Sequence, residues 1–184
     1  MKFLKICAFV ISITFFELVS AQDHYIAKIA VVDVESILEN SLAITGIRKS
    51  INELSEDIQK EIAQQEKDFK KRQQELLDLQ KTLSQEKFDS LALKFNKNVS
   101  TIQKNIQLKK LALEQAHSQA IEVVHKKTIS IISSLAKEYN FNIVLPSAQV
   151  LYVTSELNIT LEVISKLNES LKNVPINYQK FLKN

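Results

Sequence analysis

The chain of 184 residues has one glycine, two prolines, one cysteine and no tryptophan. Such a composition excludes glycine-rich phosphate loops, thiolate metal clusters and disulfide scaffolds. Neither glycine nor proline occurs from Ile47 to Leu145, so only polar residues can mark a turn in that stretch. Apolar residues make up 45% and charged residues 24%, which is too apolar for a disordered chain. The net charge of +3 is too small by itself to indicate nucleic-acid binding.

The first 21 residues have the pattern of a secretory signal. Met1–Lys5 is a short basic start, Ile6–Phe16 is mostly apolar, and Val19-Ser20-Ala21 is a typical signal-peptidase site. The apolar run is well short of the roughly 20 residues that a membrane-spanning helix needs. We therefore expect a signal peptide over residues 1–21, cleaved after Ala21, with an uncleaved membrane anchor as the alternative. Cleavage would remove Cys7 together with the signal peptide, so the mature chain would have no thiol.

Apolar, β-branched segments near both ends of the mature chain predict three short strands. Lys28–Val34 is bounded by polar residues and has the pattern of a buried strand. Asn142–Leu145 and Gln149–Thr154 are expected to form a hairpin around a turn at Pro146-Ser147-Ala148. The residues expected to carry the pairing are Ile29, Val31, Val32, Ile143, Val144, Leu145, Val150, Leu151 and Tyr152.

Short helices are predicted beside these strands. Ser36 is placed to cap a helix that Thr45-Gly46 would break or bend. Leu157–Leu171 returns to helical spacing, and Pro175 would stop that helix. Residues 174–184 are expected to be a flexible, frayed tail.

Between these ends, apolar residues recur at helical spacing in two narrow seams. A narrow seam is typical of a helix packed along a single partner. The seams are separated near Thr82–Glu86, where Ser84 can begin a second helix, so we predict an antiparallel hairpin over residues 47–139. One continuous helix is the alternative. The hairpin would set acidic residues of its first helix roughly opposite Lys104, Lys109 and Lys110.

The predicted fold is α+β and mostly helical, with a small body carrying a long helical hairpin arm. Residues 22–46 and 140–173 would make the body. A body of this size is near the lower limit for a self-sufficient core, and its short strands would leave sheet edges unpaired. Oligomerisation through the strands would solve both problems.

The order of these elements resembles the Skp/OmpH family of periplasmic chaperones. The arms match that family by pattern, whereas the two ends match by short motifs. The matching stretches are Lys28–Val34, Ser36-Ile37-Leu38, Thr45-Gly46, Ile143-Val144-Leu145, Tyr152 and Asn158-Ile159-Thr160.

The resemblance implies a homotrimer in which strands of three chains join in a central body. Three arms would surround a cavity that holds unfolded outer-membrane proteins in the periplasm, with no nucleotide and no other cofactor. The chain is less basic than well-known members of that family, so no lipopolysaccharide site is assigned. The alternative hypothesis is a structural or adaptor coiled-coil protein of the cell envelope.

Two sets of arm residues are candidates for contact with partners. Aromatic and leucine residues on the sparse distal arm have little core to fill, so they are the client-binding candidates: Phe69, Phe88, Leu93 and Phe95. A basic patch would be either a solvated face or an attraction for acidic clients or an anionic membrane surface. It comprises Lys70, Lys71, Arg72, Lys81, Lys87, Lys94 and Lys97. No recognition motif for nucleic acid accompanies it.

No arrangement of residues predicts catalysis or a metal site. His117 and His125 lie eight residues apart, about 80° around a helix, with no carboxylate triad beside them. The sequence has no recognisable Ser/His/Asp or Cys/His arrangement. We therefore expect no enzyme, metal or cofactor.

Overall fold

The computed structural model describes residues 26–183. The predicted signal peptide and its cleavage site after Ala21 lie outside that range. The helices and strands, in chain order, are β1 (Ile29–Val32), α1 (Val34–Asn40), α2 (Leu42–Leu79), α3 (Gln85–Glu138), β2 (Ile143–Pro146), α4 (Thr160–Ser170) and α5 (Tyr178–Leu182). Two single 3-10 turns, Ser147–Gln149 and Ser155–Leu157, join β2 to α4. The fold is thus mostly helical, with a small sheet and a long helical pair, as predicted.

Side-chain caps set the boundaries of the first two helices. Asp33 has an extended backbone, and its carboxylate accepts a hydrogen bond of 2.9 Å from the Ser36 backbone N–H. Asp33 is therefore the N-cap of α1, and the prediction that Ser36 fills this role is wrong. Ser41 is fully buried, and its hydroxyl accepts from the Ile44 backbone N–H at 3.2 Å. Ser41 is both the C-cap of α1 and the N-cap of α2, so it is the single residue between the two helices.

Gly46 does not break the chain, contrary to the sequence prediction. It lies inside α2 with an ordinary negative φ, and the break between the two helices is at Ser41. The buried neighbours Ala43, Ile44 and Ile47 anchor this first turn of α2 in the body. Their packing outweighs the roughly 1 kcal/mol by which glycine disfavours a helix interior. The arm therefore continues directly from the body without a joint at Gly46.

The sheet has two parallel strands, β1 and β2, paired in register from Ile29 with Ile143 to Val32 with Pro146. The predicted β-hairpin between β2 and Gln149–Thr154 is wrong for the single chain, in which Gln149–Thr154 pairs with no strand among the described residues. The segment after Pro146 makes a 3-10 turn and then runs without strand pairing in the described chain. On its other side β1 meets Asn158, and the Val31 carbonyl accepts from the Ile159 N–H at 3.0 Å. β1 is thus central and β2 forms an edge.

The body core is made by residues from both ends of the chain. Side chains from β1, α1 and the start of α2 pack against the last third of α3 and against α4. Polar contacts connect the same parts, because the Asp33 N–H donates to the Thr160 hydroxyl at 2.9 Å and the Leu42 N–H donates to Asn168 at 2.8 Å. The largest fully buried side chains of this core are Ile37, Ile47, Leu135, Leu167, Val31, Val124 and Val163.

The predicted antiparallel pair of long helices is confirmed, but its bounds differ from 47–139, because α2 begins at Leu42 and the last third of α3 lies in the body core. α2 ends at Leu79, α3 begins at Gln85, and Ser84 has the extended backbone of an N-cap. With 38 and 54 residues, the two helices are about 57 and 81 Å long. The extra length of α3 is the part that enters the body core. Lys109 of α3 forms an ion pair with Glu61 of α2, as the predicted charge pairing between the helices requires.

The C-terminal segment is ordered against the arm, so the prediction of a frayed tail is wrong. Val174 is buried in the body core, and Tyr178 at the start of α5 is buried against α2 and α3. α5 packs mainly on α3. Burial and the negative charge of Glu61 both raise the pKa of Tyr178 above its ordinary value. The segment therefore connects the body to the arm.

Replacing Gly46 with alanine tests whether α2 is helical at this position. A Cβ at this position would lie 3.4 Å from the nearest atom, Oδ1 of Asn173, which is an acceptable contact. We expect Gly46→Ala to raise the free energy of unfolding by about 0.5–1 kcal/mol, because alanine favours the helix. Urea denaturation would measure the change. Ala63→Gly, at an exposed position of the same helix, is the matched reverse substitution and should lower stability by a similar amount. A Gly46→Ala protein of lower stability would contradict this account.

Candidate functional site

The free edge of the small sheet is the first candidate surface. β2 pairs with β1 alone within residues 26–183, so its other edge is open. Among the residues predicted to carry the strand pairing, Val31 and Val32 are buried in the body core. Ile29 and Ile143 are exposed at the start of the two strands. An open edge with exposed apolar residues is a surface that readily pairs with another chain.

The segment that follows β2 in the chain also has exposed apolar side chains. Leu151 is fully exposed and Tyr152 is 84% exposed, although both are large apolar side chains. Val144, Leu145 and Val150 are half-buried beside them. We call the exposed set of Ile29, Ile143, Leu151 and Tyr152 the edge surface. Large apolar side chains that are exposed together are typical of an interaction surface.

The distal arm is the second candidate surface, and it divides the four client-binding candidates into two groups. Phe69 of α2 and Phe95 of α3 stack on each other, with ring centroids 4.9 Å apart and ring planes at 27°. These two rings are half-buried and hold the helices together. Phe88 is also half-buried, whereas Leu93 is 72% exposed. Leu93 is therefore the candidate most available to a partner.

Further exposed leucines lie in the distal part of the arm. Leu77, Leu79 and Leu91 are each more than a third exposed. Leu79 and Leu91 recur at the helical spacing of the two seams, whereas Leu77 does not. The helical spacing of Leu77 relative to Phe69 and Leu76 places it off the seam, which is the signal that could have found it. These exposed leucines lie on more than one face of the two helices, and we call the set Leu77, Leu79, Leu91 and Leu93 the tip surface.

A shallow groove of about 220 Å3 runs between the helices below the Phe69–Phe95 stack. Val99, Ile102 and Ile106 line it from α3, and Gln65 lines it from α2. The side-chain amide oxygen of Gln65, Oε1, is buried with no hydrogen-bond partner among the described residues. The seam is thus loosely filled at this level, because the apolar residues of α2 become sparse after Ile62.

All seven residues of the predicted basic patch are exposed. Lys71 lies 3.9 Å from Glu75, four residues further along the same helix, and this surface pair contributes little to stability. The patch is thus a solvated cationic surface around the distal arm. Its position next to the tip surface gives that end of the molecule both exposed leucines and positive charge.

Neither histidine of the arm is placed for metal binding. His117 is half-buried on α3 and His125 is exposed. No group of three or more His, Cys, Asp or Glu side chains within residues 26–183 is arranged to hold a metal ion. None of the helices in this part of the chain is both long enough and apolar enough to span a membrane.

Comparisons with known proteins identify the same architecture. The sequence model of the family described as outer membrane protein (OmpH-like) matches residues 28–167. The structure is similar to the crystal structure of a candidate outer membrane chaperone (OmpH-like) from Caulobacter crescentus, with a TM-score of 0.74 and 14% sequence identity. The similarity covers 82% of this chain and 89% of that one. No curated protein matches the chain.

A double-mutant cycle on Phe69 and Phe95 tests whether their ring stack stabilises the contact between α2 and α3. We expect each single alanine substitution to lower the free energy of unfolding by about 1–3 kcal/mol, with a coupling of about 0.5–1.5 kcal/mol between them. The coupling reports the ring stack itself. Leu93→Ala is the control, and we expect it to change stability by less than about 0.5 kcal/mol because its side chain is exposed. Urea denaturation of the wild type, the two single variants, the double variant and the control would measure these free energies. Zero coupling would contradict the stacked arrangement.

Proposed function

The chain belongs to the family of OmpH-like outer membrane proteins, and from that premise we propose that it is a periplasmic chaperone. In this proposal it is a holdase that binds unfolded outer-membrane proteins between helical arms and prevents their aggregation without nucleotide or other cofactor. It is not an enzyme. The observation that carries the proposal is the combination of an open sheet edge on the body with exposed leucines at the end of a long arm.

The edge surface supports assembly into a homotrimer. A single chain leaves β2 open and Leu151 and Tyr152 in water, which costs the free energy of hydrating large apolar side chains. Pairing of β2 and the following segment with strands of neighbouring chains would bury these residues and satisfy the open edge. The segment over Gln149–Thr154 would then have the strand partners that it lacks in the single chain. Three copies would place three arms around one cavity.

The tip surface and the loosely filled seam support binding of unfolded chains. Exposed leucines offer apolar contact without the shaped pocket that sequence selection requires. Such contacts are individually weak, so affinity for a client would come from several arms acting on one chain. Phe69 and Phe95 would contribute mainly by holding the two helices of each arm together, and Leu93 with the neighbouring leucines would meet the client.

The basic patch would increase the rate at which the chaperone meets a client or a membrane surface. Positive charge around the tip attracts acidic segments of a client or an anionic membrane surface over distances of about one Debye length. This contribution would decrease with ionic strength, whereas the apolar contact would not. Binding to nucleic acid is not part of the proposal, because the cationic residues lie on a solvated helical surface without a recognition motif.

The solution mass of the mature chain tests the assembly. We expect a trimer by light scattering, and we expect the double substitution Leu151→Asp with Tyr152→Asp to give a single chain. Because both residues are exposed in the single chain, the substitutions should not disturb its own core. Leu93→Asp, at a comparably exposed position on the distal arm, is the control and should leave the trimer intact. A stable monomer of the unaltered chain at micromolar concentration would contradict the assembly.

Suppression of aggregation tests the holdase activity. We expect about one trimer to keep one urea-denatured outer-membrane β-barrel protein soluble after dilution. The double substitution Leu77→Ser with Leu93→Ser should weaken client binding about threefold to tenfold, since about 1 kcal/mol of apolar contact is lost. Leu161→Ser, on the exposed side of α4 in the body, is the matched control and should bind normally.

The outcome that contradicts the chaperone proposal is an intact trimer that gives no protection even in excess. That result would favour the alternative of a structural or adaptor coiled-coil protein of the envelope. In that case the tip surface would bind a folded partner, and unfolded chains would not compete for it.

A further inference from the structure

We propose that the last residues of this chain occupy a client-binding groove on the arm and must leave it before a client can bind there. We call residues 174–183 the strap. The strap groove is the apolar surface of the arm beneath it, formed by Leu54, Ile58, Ile62, Ala112, Leu113 and Ala116. The ligand class is an unfolded polypeptide segment that combines an aromatic residue with aliphatic neighbours. This inference rests on the proposed function, which supplies the client.

The strap groove is a property of the hairpin itself. Ile58 comes from α2, and Ala112 and Ala116 lie one turn apart on α3, where they are 1% exposed under the strap. The two small alanine side chains leave room above α3 that a larger side chain must fill. Tyr178 fills it and is 7% exposed. Without the strap, the hairpin would present this apolar surface to solvent at the level where the arm leaves the body.

The strap is attached to the body core at one end and is held on the arm at the other end by a short helix. Val174 is buried in the body core, and Ile176 touches both the body core and the strap groove. Beyond them α5 has only five residues, a length that has no helical stability of its own. The docking of α5 therefore depends on the side chains that it buries, chiefly Tyr178 with the half-buried Phe181 and Leu182.

One feature of this contact works against it. The Tyr178 hydroxyl is buried with no hydrogen-bond partner among residues 26–183. A buried unpaired hydroxyl opposes docking, because the same group is hydrogen-bonded to water when the strap is released. A phenyl ring would fill the same space without this cost. The strap thus binds the groove less tightly than its shape allows. Weak binding suits a segment that a client must displace.

The strap lies outside the stretch that the sequence model of the family matches. The matched region ends at residue 167, and the strap begins seven residues later. Because the strap is tethered next to its groove, its effective concentration there is high, so only a client segment with a strong apolar contact would displace it. The strap would set a threshold for client binding at this site.

The strap also indicates the chemistry of the client. Its contacts are made by Ile176, Tyr178, Phe181 and Leu182, with Lys180 and Lys183 exposed between and after them. An open cleft continues past Phe181 along α3 and is lined by Leu111, Glu114 and Glu122. A segment with one or two aromatic residues, aliphatic neighbours and a positive charge fits this surface. Strands of outer-membrane barrels are rich in aromatic residues near the membrane interfaces, so they supply such segments when unfolded.

Two opposite substitutions of Tyr178 in the full chain test the inference. Tyr178→Phe removes the unpaired hydroxyl, so we expect a tighter strap and client binding weakened about threefold. Tyr178→Ala removes the ring, so we expect a looser strap and client binding strengthened about threefold to tenfold. Fluorescence anisotropy with a labelled, urea-denatured outer-membrane β-barrel protein would measure both. Tyr139→Phe, at the exposed end of α3, is the matched control and should leave client binding unchanged.

A purely structural strap gives a different pattern. Tyr178→Phe and Tyr178→Ala would then change the free energy of unfolding in opposite directions while client affinity stayed at the wild-type value, and this result would overturn the inference. A fall in client affinity in both variants would overturn it as well. If the wild-type chain binds no client, the proposed function fails, and the client part of this inference fails with it. Wild-type binding that neither substitution alters overturns the inference alone.

A peptide measures occupancy of the groove directly. A labelled peptide with the sequence of residues 174–183 should bind the full-length Tyr178→Ala protein at least tenfold more tightly than it binds the wild-type chain, whose groove is filled. The same peptide with alanine in place of Tyr178 is the control and should not bind. The unfolded client should displace the bound peptide. Equal binding of the peptide to both proteins, or binding that the client does not affect, would overturn the proposal.

Discussion

The pairing of β1 with β2 is the contact on which the rest of the structure depends. These strands are separated by the whole arm, and their ends are held by reciprocal hydrogen bonds, in which Lys28 donates to the Asn142 side chain and accepts from the Asn142 backbone. Closing so long a loop would be costly for a flexible chain. The hairpin reduces this cost because α2 and α3 form locally and return the chain to its starting point. The body can therefore be small only because the arm is regular.

The elements that sequence patterns predicted correctly are those that depend on local periodicity. The two apolar seams and the polar break at Ser84 locate the hairpin, since each helix contacts a partner along one narrow stripe. The predictions at Gly46 and Ser36 were wrong because neighbouring groups decide those positions. Buried Ile44 and Ile47 keep α2 helical through the glycine, and the carboxylate of Asp33 competes with Ser36 for the cap.

The segment over Gln149–Thr154 shows why a strand pattern need not give a strand. Its β-branched and aromatic residues suit a pleated, half-buried surface, but a strand exists only where another strand pairs with it. No strand within residues 26–183 pairs with this segment, so Leu151 and Tyr152 remain in water. The same reasoning explains the strap, because the burial of Tyr178 arises from contacts with residues far away in the sequence, which periodicity does not reveal. Among the candidate site residues, helical spacing places Phe69 and Phe95 on the seams and Leu93 off them, but spacing alone does not show that the two rings stack on each other.

The unequal lengths of α2 and α3 have a mechanical consequence. α3 runs without interruption from the tip into the core around Leu135, so it acts as a rigid lever whose short end lies in the body. For a lever of roughly 50 Å, a tilt of about 10° at the base moves the tip by roughly 10 Å. Small adjustments in side-chain packing near Val124 and Leu135 would thus become large changes in the width of any space that the arms enclose.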